Sequence, residues 1–181
     1  MRIKKKKRKN NKNPTKLEAT YLVSMAVEKE IYQLNTKKKS ERKLMKRSLI
    51  DAGPMIALFD KDDQYHIKIM DLIESYQGEL FTTWPVVTET VYMLDFNQDV
   101  QIDFLTWIKR GAVEIIDLNN SDLVRIIELA KKYSDVPMDL ADATLIVASE
   151  ELNIENIISI DPDFYIYRNI REEYLRNIFK E

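Results

Sequence analysis

The sequence predicts an α/β fold of three layers, in which helices cover both faces of a parallel sheet of about four to five strands. Two observations predict it. From Ser48 onward, short apolar runs alternate with helical patterns, as they do in a parallel sheet covered by helices. The charge also changes there, because residues 1–47 carry 17 Lys and Arg and 4 Glu, whereas residues 48–181 carry 11 basic and 26 acidic residues. We therefore divide the chain into a basic N-terminal extension, residues 1–47, and an acidic domain, residues 48–181.

The extension is predicted to be a disordered tail followed by one amphipathic helix. Residues 1–14 are polar, cationic and self-repelling, and they offer nothing to bury. Thr15 can cap a helix that continues to about Leu34, because apolar residues recur there at helical spacing. Met45 leaves open a natural product that starts at that residue and lacks the extension.

The acidic domain is predicted to contain four strands and several helices. From their β-branched, aromatic and other apolar residues, the strands are predicted at 48–50, 80–83, 113–118 and 157–160. From helical spacing, helices are predicted at 63–76, 85–94, 99–109, 122–133 and 140–152. Ser121 and Asp139 are the expected N-caps of the last two, and residues 171–179 are expected to form one more short helix.

The composition excludes several kinds of site. The chain has no Cys, which removes disulfides, thiolate zinc sites, thiol nucleophiles and iron–sulfur ligation. A single histidine, His66, argues against Ser-His-Asp catalysis. Carboxylates remain as the only abundant reactive groups, so any metal has to be held by oxygen ligands.

The sequence gives no sign of membrane insertion or export. No apolar run approaches the roughly 18 residues that a membrane span needs. Residues 4–9 resemble the basic start of a signal peptide, but the apolar stretch 19–27 follows Glu18 and is interrupted by Thr20 and Ser24. We therefore expect a cytoplasmic protein without a membrane partner.

Two aspartates follow predicted strands. Asp51 comes directly after the strand 48–50, and Asp161 comes directly after the strand 157–160. In a parallel sheet, ligands bind just beyond the carboxyl ends of the strands, so both residues are candidate site residues. The alternative is that each Asp only begins a turn, because Asp51 precedes Gly53 and Asp161 precedes a proline.

Two further acids lie within apolar helical segments. Glu89 stands in PVVTETVYML and Asp142 in LADATLIVA. Burying a polar group without a partner costs about 2–7 kcal/mol of folding free energy. A carboxylate buried in these helices would therefore destabilise the fold or stay protonated, unless another group neutralised its charge. Lys and Arg are absent from residues 69–108 and 133–167, so a bound cation is the simpler answer. The alternative is that both acids face solvent on amphipathic helices.

Asp139 adds a fifth acid, because it precedes Asp142 by three residues and projects within roughly 60° of it around a helix. It could instead serve only as the helix cap. Clusters of oxygen ligands suit Mg²⁺ or Mn²⁺, which take carboxylates together with water and substrate phosphate. That chemistry indicates hydrolysis of phosphodiester bonds without histidine or cysteine.

Four segments together resemble the PIN domain family. They are LIDAGPMIALFD at 49–60, TE at 88–89, VPMDLADATL at 136–145 and ISIDPDF at 158–164. The similarity spans nearly all of residues 48–168, and the order and spacing of the segments are specific. The resemblance implies a metal-dependent ribonuclease, often the toxin of a VapBC-type toxin–antitoxin pair, with a Mg²⁺ or Mn²⁺ site of three or four acids.

Carried over by position, the resemblance assigns catalytic and metal-binding roles to Asp51, Glu89, Asp142 and Asp161. Asp139 occupies a place that many relatives fill with a carboxylate or hydroxyl, and we include it among the expected metal ligands. The family commonly has Thr or Ser after the first Asp, where this chain has Ala52. The resemblance also implies an RNA substrate, a small antitoxin partner and a homodimer.

Other residues have more than one interpretation. His66 falls where similar PIN domains often carry a histidine, and a surface or supporting role is its default interpretation. Four aromatic residues could stack on RNA bases: Trp84, Tyr92, Trp107 and Phe164. Aromatic residues at helical or strand-end positions are, however, more often part of the core. Because an RNA-binding surface should be basic, RNA contact could fall to the extension, to residues 109–110 and 131–132, or to a second subunit.

Three alternative functions fit the sequence less well. The first is a PIN-like RNA- or protein-binding module with little activity, which would be favoured if one of the four acids failed to converge in space. The second is an aspartyl-phosphate hydrolase of the haloacid dehalogenase type, which expects an Asp two residues after the first where this chain has Gly53. The third, dinucleotide binding, fails because a chain with 3 Gly contains no GxGxxG.

Overall fold

A computed structural model of the chain describes residues 46–136 and 138–180. The strands are β1 Lys46–Ile50, β2 Gly78–Thr83, β3 Glu114–Ile116, β4 Asn156–Ile158 and β5 Arg176–Asn177. The helices are α1 Ala52–Phe59, α2 His66–Ser75, α3 Trp84–Met93, α4 Gln98–Lys109, α5 Leu123–Lys132 and α6 Leu140–Leu152. The predicted tail and helix within residues 1–34 lie outside the described residues. β1 begins at Lys46, next to the proposed division of the chain at residue 47. That division stays a prediction.

The five strands form one parallel sheet in the order β3-β2-β1-β4-β5, which confirms the predicted fold class. β1 lies in the centre, and its Leu49 pairs with Phe81 of β2 on one side and Ile157 of β4 on the other. Leu49 and Ile157 are fully buried, as expected for a parallel sheet covered on both faces. The carboxyl ends of β1 and β4 therefore lie side by side.

The helix α6 is buried on almost every side. Each residue from Ala141 to Ser149 is buried, and the helix packs against α3, α5 and β2. Its polar side chains are satisfied locally, because Thr144 Oγ1 donates to the carbonyl of Ala141 at 2.8 Å and Ser149 Oγ donates to that of Ile146. A carboxylate between Ala141 and Ser149 consequently lies within the core rather than on a solvent-facing stripe.

The helix α1 follows β1 directly and was not predicted, because Gly53 and Pro54 indicated a turn. Asp51 is its N-cap, and Pro54 lies in the first turn, where a missing N–H costs little. Gly53 allows a close approach, because a Cβ atom at that position would lie 2.6 Å from Cγ1 of Ile160. The start of α1 is therefore packed tightly against the loop after β4.

The C-terminal segment corrects a second prediction. Residues 171–179 do not form the expected helix, because Glu172 has a positive φ of 60° and β5 adds to the edge of the sheet. The N–H of Ile178 donates to the carbonyl of Ile157 at 2.9 Å. Strand pairing with β4 therefore overrides a locally helical pattern.

Smaller differences concern the limits of two elements. The N-cap of α5 is Asp122 rather than Ser121, and its side chain binds the N–H of Asn119 instead of the helix. β4 ends at Ile158, so two residues separate it from Asp161. Within the described residues, no helix is both long and apolar enough to cross a membrane.

Candidate active site

Asp51 lies at the carboxyl end of the central strand β1. Its N–H donates to the carbonyl of Ile158 at 3.1 Å and extends the pairing of β1 with β4 by one residue. Its carboxylate accepts hydrogen bonds from the N–H of Ala52 at 2.7 Å and from Oγ of Ser159 at 2.8 Å. The side chain is only 7% exposed. One carboxylate therefore caps α1 and also contacts the residue that follows β4.

Ser159 connects two of the predicted acids and was not singled out from the sequence. Its hydroxyl donates to Asp51 and accepts the N–H of Asp161 at 2.9 Å. Asn177 in turn holds the backbone of Ser159, since its Nδ2 donates to the Ser159 carbonyl at 2.7 Å and its Oδ1 accepts the Ser159 N–H at 3.3 Å. The edge strand β5 thereby fixes the residue that links Asp51 and Asp161.

Asp161 begins a short 3₁₀ turn, Pro162–Tyr165, and its carboxylate accepts the N–H of Asp163 at 2.8 Å. The turn-forming interpretation is therefore correct for this residue. Asp161 stays a candidate site residue as well, because its charge acts on Asp51, Glu89 and Asp142.

Asp139 and Asp142 form a reciprocal capping box at the start of α6. The N–H of Asp142 donates to Oδ1 of Asp139 at 2.9 Å, and the N–H of Asp139 donates to Oδ2 of Asp142 at 3.3 Å. The hydroxyl of Tyr167 donates to the same Oδ2 at 3.3 Å. Asp142 is 8% exposed, so it does not face solvent. Asp139 is exposed, and it acts both as the cap and as a neighbouring charge.

Glu89 lies on α3, which packs against α6. The side chain is half-buried. The charges of Asp139, Asp51 and Asp161 all act on it. Glu89 therefore shares an electrostatic environment with the acids at the ends of β1, β4 and α6.

Burial and mutual repulsion raise three of the pKa values. Burial raises the pKa of Asp51 to about 6, and the charges of Asp161 and Asp139 add to the effect. The pKa of Glu89 rises to about 7 and that of Asp142 to about 8, in each case through burial first and the neighbouring carboxylates second. Acids shift in this direction when burial and neighbouring negative charges outweigh the hydrogen bonds that stabilise the charged form.

Basic side chains do not relieve this charge. The ion pairs among residues 46–136 and 138–180 join Arg125 to Glu128 and Glu150, and Lys132 to Glu172. In the same residues, no three His, Asp or Glu side chains are grouped closely enough to make a ready metal centre. The five acids thus repel one another near the carboxyl ends of the strands, but they are not arranged as a complete set of metal ligands.

The remaining candidates lie outside this cluster. Nδ1 of His66 contacts the carbonyl of Ala57 at 2.8 Å and so connects α2 to α1, in keeping with a supporting role. Phe164 is buried, and Trp107 packs edge-on against Phe59 at 5.7 Å. Trp84 and Tyr92 are exposed, but no observation assigns them to RNA.

Comparison with known proteins addresses the family directly. A family model described as the PIN domain matches residues 48–169. The chain belongs to the PIN domain family. The match covers all five acids. In this PIN domain Ala52 has no hydroxyl, and the hydroxyl that contacts Asp51 comes from Ser159.

Two relatives from Mycobacterium tuberculosis resemble this PIN domain. Ribonuclease VapC26 is 24% identical over 115 residues, which are 62% of this chain and 85% of the relative. The crystal structure of VapC20, a sarcin-ricin loop cleaving toxin, matches with a TM-score of 0.61 and 18% identity, covering 65% of this chain and 92% of that one. At this identity the structural match shows the shared PIN fold.

A third match is weaker. VapBC2 from Rickettsia felis, bound to a DNA fragment from its promoter, is 12% identical with a TM-score of 0.49, covering 72% of this chain and 96% of that chain. A score this low carries no functional information.

Proposed function

We propose that this PIN domain is a Mg²⁺- or Mn²⁺-dependent endoribonuclease that hydrolyses phosphodiester bonds of single-stranded or loop RNA. One observation carries the proposal. Asp51, Glu89 and Asp142 have pKa values raised by burial and by neighbouring carboxylates, with no basic side chain paired to them among the described residues. A bound divalent cation would offset the repulsion among these carboxylates and so stabilise their ionised forms.

The donor set fits a hard cation. Carboxylate oxygens are the ligands that Mg²⁺ and Mn²⁺ prefer, and the residues that would hold the ion are Asp51, Glu89, Asp139, Asp142 and Asp161. When bound, the ion supplies Lewis-acid stabilisation of phosphate charge and a more acidic water. In each of Asp51, Asp139, Asp142 and Asp161 a backbone N–H fixes the carboxylate.

The chain's own residues set the orientation of this site. Ser159 fixes Oδ2 of Asp51, while Tyr167 and the capping box fix Oδ2 of Asp142. Asp161 is held by its turn. These bonds restrict the carboxylates to a narrow range of positions, which is the property that a site for an in-line phosphate reaction needs.

The two relatives support the choice of substrate. One is named a ribonuclease, and the other is described as cleaving the sarcin-ricin loop. We extend the proposal to a cytoplasmic toxin that is restrained by a small antitoxin and acts as a homodimer, as the family resemblance implies. A catalytically weak binding module is the second candidate, and it is favoured by the absence of a ready metal centre among the described residues.

The test is cleavage of a mixed RNA pool by the purified full chain. We expect cleavage with Mn²⁺, none with EDTA, and none above the EDTA background for Asp51→Asn and for Asp142→Asn. Asp62→Asn, an exposed acid outside the site, is the matched control and should cleave like the wild type. RNA binding without cleavage in Mn²⁺ or Mg²⁺ would favour the binding module, and equal cleavage of a DNA pool would overturn the RNA specificity.

A further inference from the structure

A cleft of about 460 Å³ opens beside the acidic cluster. Its volume lies within the roughly 300–1,000 Å³ that is usual for small-ligand sites. Asp161 and Tyr165, from the turn after β4, line one wall, and Asn177, Phe179 and Lys180, from β5 and the residues after it, line the other. Asp161 belongs both to the cleft and to the acidic cluster, so the two features are continuous.

The wall that carries Tyr165 is firmly held. Asp161 caps the 3₁₀ turn by accepting the N–H of Asp163 at 2.8 Å, and Phe164 within the turn is only 1% exposed. The buried ring of Tyr167 packs edge-on against Phe164 with ring centroids 5.6 Å apart. Tyr165 itself is 56% exposed, so a fixed turn presents an accessible aromatic ring.

The opposite wall is anchored to the sheet. The N–H of Ile178 donates to the carbonyl of Ile157 at 2.9 Å, and the N–H of Phe179 donates to Oδ1 of Asn177 at 3.1 Å. The buried ring of Phe179 packs edge-on against Tyr65 with centroids 5.8 Å apart. Lys180 follows directly and is exposed. Among the residues that line the cleft, it is the only one with a positive charge.

These groups match the chemistry of a nucleotide. An exposed aromatic ring stacks on any base, and a lysine attracts a phosphate without sequence preference. Because Asp161 joins the cleft to the acids that would act on the scissile phosphate, a strand of RNA at those acids would place a neighbouring nucleotide in the cleft. A cleft with preformed walls binds without the entropic cost of ordering its loops.

We propose that this cleft binds one nucleotide of the RNA next to the scissile phosphate, with Tyr165 stacking on the base and Lys180 contacting a phosphate. The inference rests on the proposed ribonuclease function and adds a substrate-binding subsite to it. Neither residue takes part in the chemical step, so both affect the binding of RNA rather than its hydrolysis.

The test is steady-state cleavage of a short single-stranded RNA in Mn²⁺ at several salt concentrations. We expect Tyr165→Ala to raise KM about tenfold with little change in kcat. We expect Lys180→Ala to raise KM and to lower the slope of log KM against log salt by about 0.7, the value for one phosphate contact on a single strand. Tyr165→Phe and Lys180→Arg should retain most of the affinity.

Two matched controls are available in the chain. Tyr174 is 58% exposed and Arg171 is exposed, and both precede β5, so both lie near the opposite end of that strand from the acids. If Tyr165→Ala and Lys180→Ala behave like Tyr174→Ala and Arg171→Ala, the cleft is not a subsite, although the ribonuclease function stands.

Failure of the proposed function gives a different result. If the wild type does not cleave, anisotropy of a fluorescent RNA decides the matter. Weaker binding to Tyr165→Ala and Lys180→Ala than to the controls would support the cleft as an RNA site on a binding module. Wild-type protein that neither cleaves nor binds RNA would overturn both proposals.

Discussion

Ser159 donates a hydrogen bond of 2.8 Å to Oδ2 of Asp51, across the boundary between the ends of β4 and β1. The same hydroxyl accepts the N–H of Asp161. A single neutral group therefore sets the relative positions of two acids that belong to different strands. It also lowers the pKa of Asp51 against the effect of burial.

Ser159→Ala removes both bonds in a fully buried place. We expect the free energy of unfolding to fall by about 1–2 kcal/mol, because the N–H of Asp161 and one Asp51 oxygen lose their partner. The pKa of Asp51 should rise further, so half-maximal binding of Mn²⁺ should need a higher pH. Urea denaturation and Mn²⁺ titrations at several pH values measure the two effects. Ser75→Ala, which removes an exposed hydroxyl, should change neither.

The stability of the metal-free protein should fall as pH rises. Asp142 and Asp51 have folded-state pKa values of about 8 and 6, above the ordinary value near 4. Between about pH 4 and pH 8 the folded chain binds more protons than the unfolded chain. Raising the pH from about 5 to 8 therefore destabilises the folded chain. The expected signature is a Tm in EDTA that decreases across this range.

Asp142→Asn should abolish much of that decrease. Because the amide carries no charge and its oxygen can still accept the N–H of Asp139, we expect the variant to be more stable than the wild type by roughly 1–3 kcal/mol at pH 8 in EDTA. At pH 5 the difference should be much smaller, and it should vanish below about pH 4, where Asp142 is protonated in both states. The exposed-acid control Asp62→Asn should keep the wild-type pH dependence, and a variant less stable than wild type at pH 8 would contradict the prediction.

Mn²⁺ should reverse the pH dependence. Metal ions compete with protons for the same carboxylates, so the stabilisation by a fixed Mn²⁺ concentration should increase from pH 5.5 to pH 8. Thermal shift with and without Mn²⁺ measures it. The double variant Asp51→Asn with Asp142→Asn should show no Mn²⁺ shift at either pH, and an undiminished shift would place the ion elsewhere.

Gly53→Ala should destabilise the domain even though alanine favours helices. Its Cβ would lie 2.6 Å from Cγ1 of Ile160, closer than side-chain carbons approach in folded proteins. We expect a loss of about 1–2 kcal/mol, which exceeds the usual gain from replacing a helical glycine. Ile160→Ala removes the contacting atoms, so the double variant should be less destabilised than the two single variants added together.

The positions of Asp51 and Asp142 were predictable because each residue has a local signature. Asp51 follows an apolar strand, and Asp142 stands in an apolar helix without a basic neighbour. Those patterns depend on burial, which sequence periodicity records well. The raised pKa values of both residues agree with the expected burial of charge.

Ser159 and Asn177 could not be predicted in the same way. The role of Ser159 depends on which strand lies beside β1, and that of Asn177 depends on an edge strand of two residues that the local sequence presents as helical. The helix α1 was missed for a similar reason, since Gly53 and Pro54 are turn residues until Asp51 is known to cap a helix. Side-chain bonds between distant segments leave no periodic signal.

The bonds of Asn177 to Ser159 also order events during synthesis. Asn177 follows all five acids in the chain, so a ribosome completes every acid before it adds the residue that holds Ser159. A growing chain that lacks β5 has no partner for the Ser159 backbone and no second wall for the cleft. The newborn domain therefore reaches its fully organised site only when its last strand joins the sheet, after the acids themselves have been made.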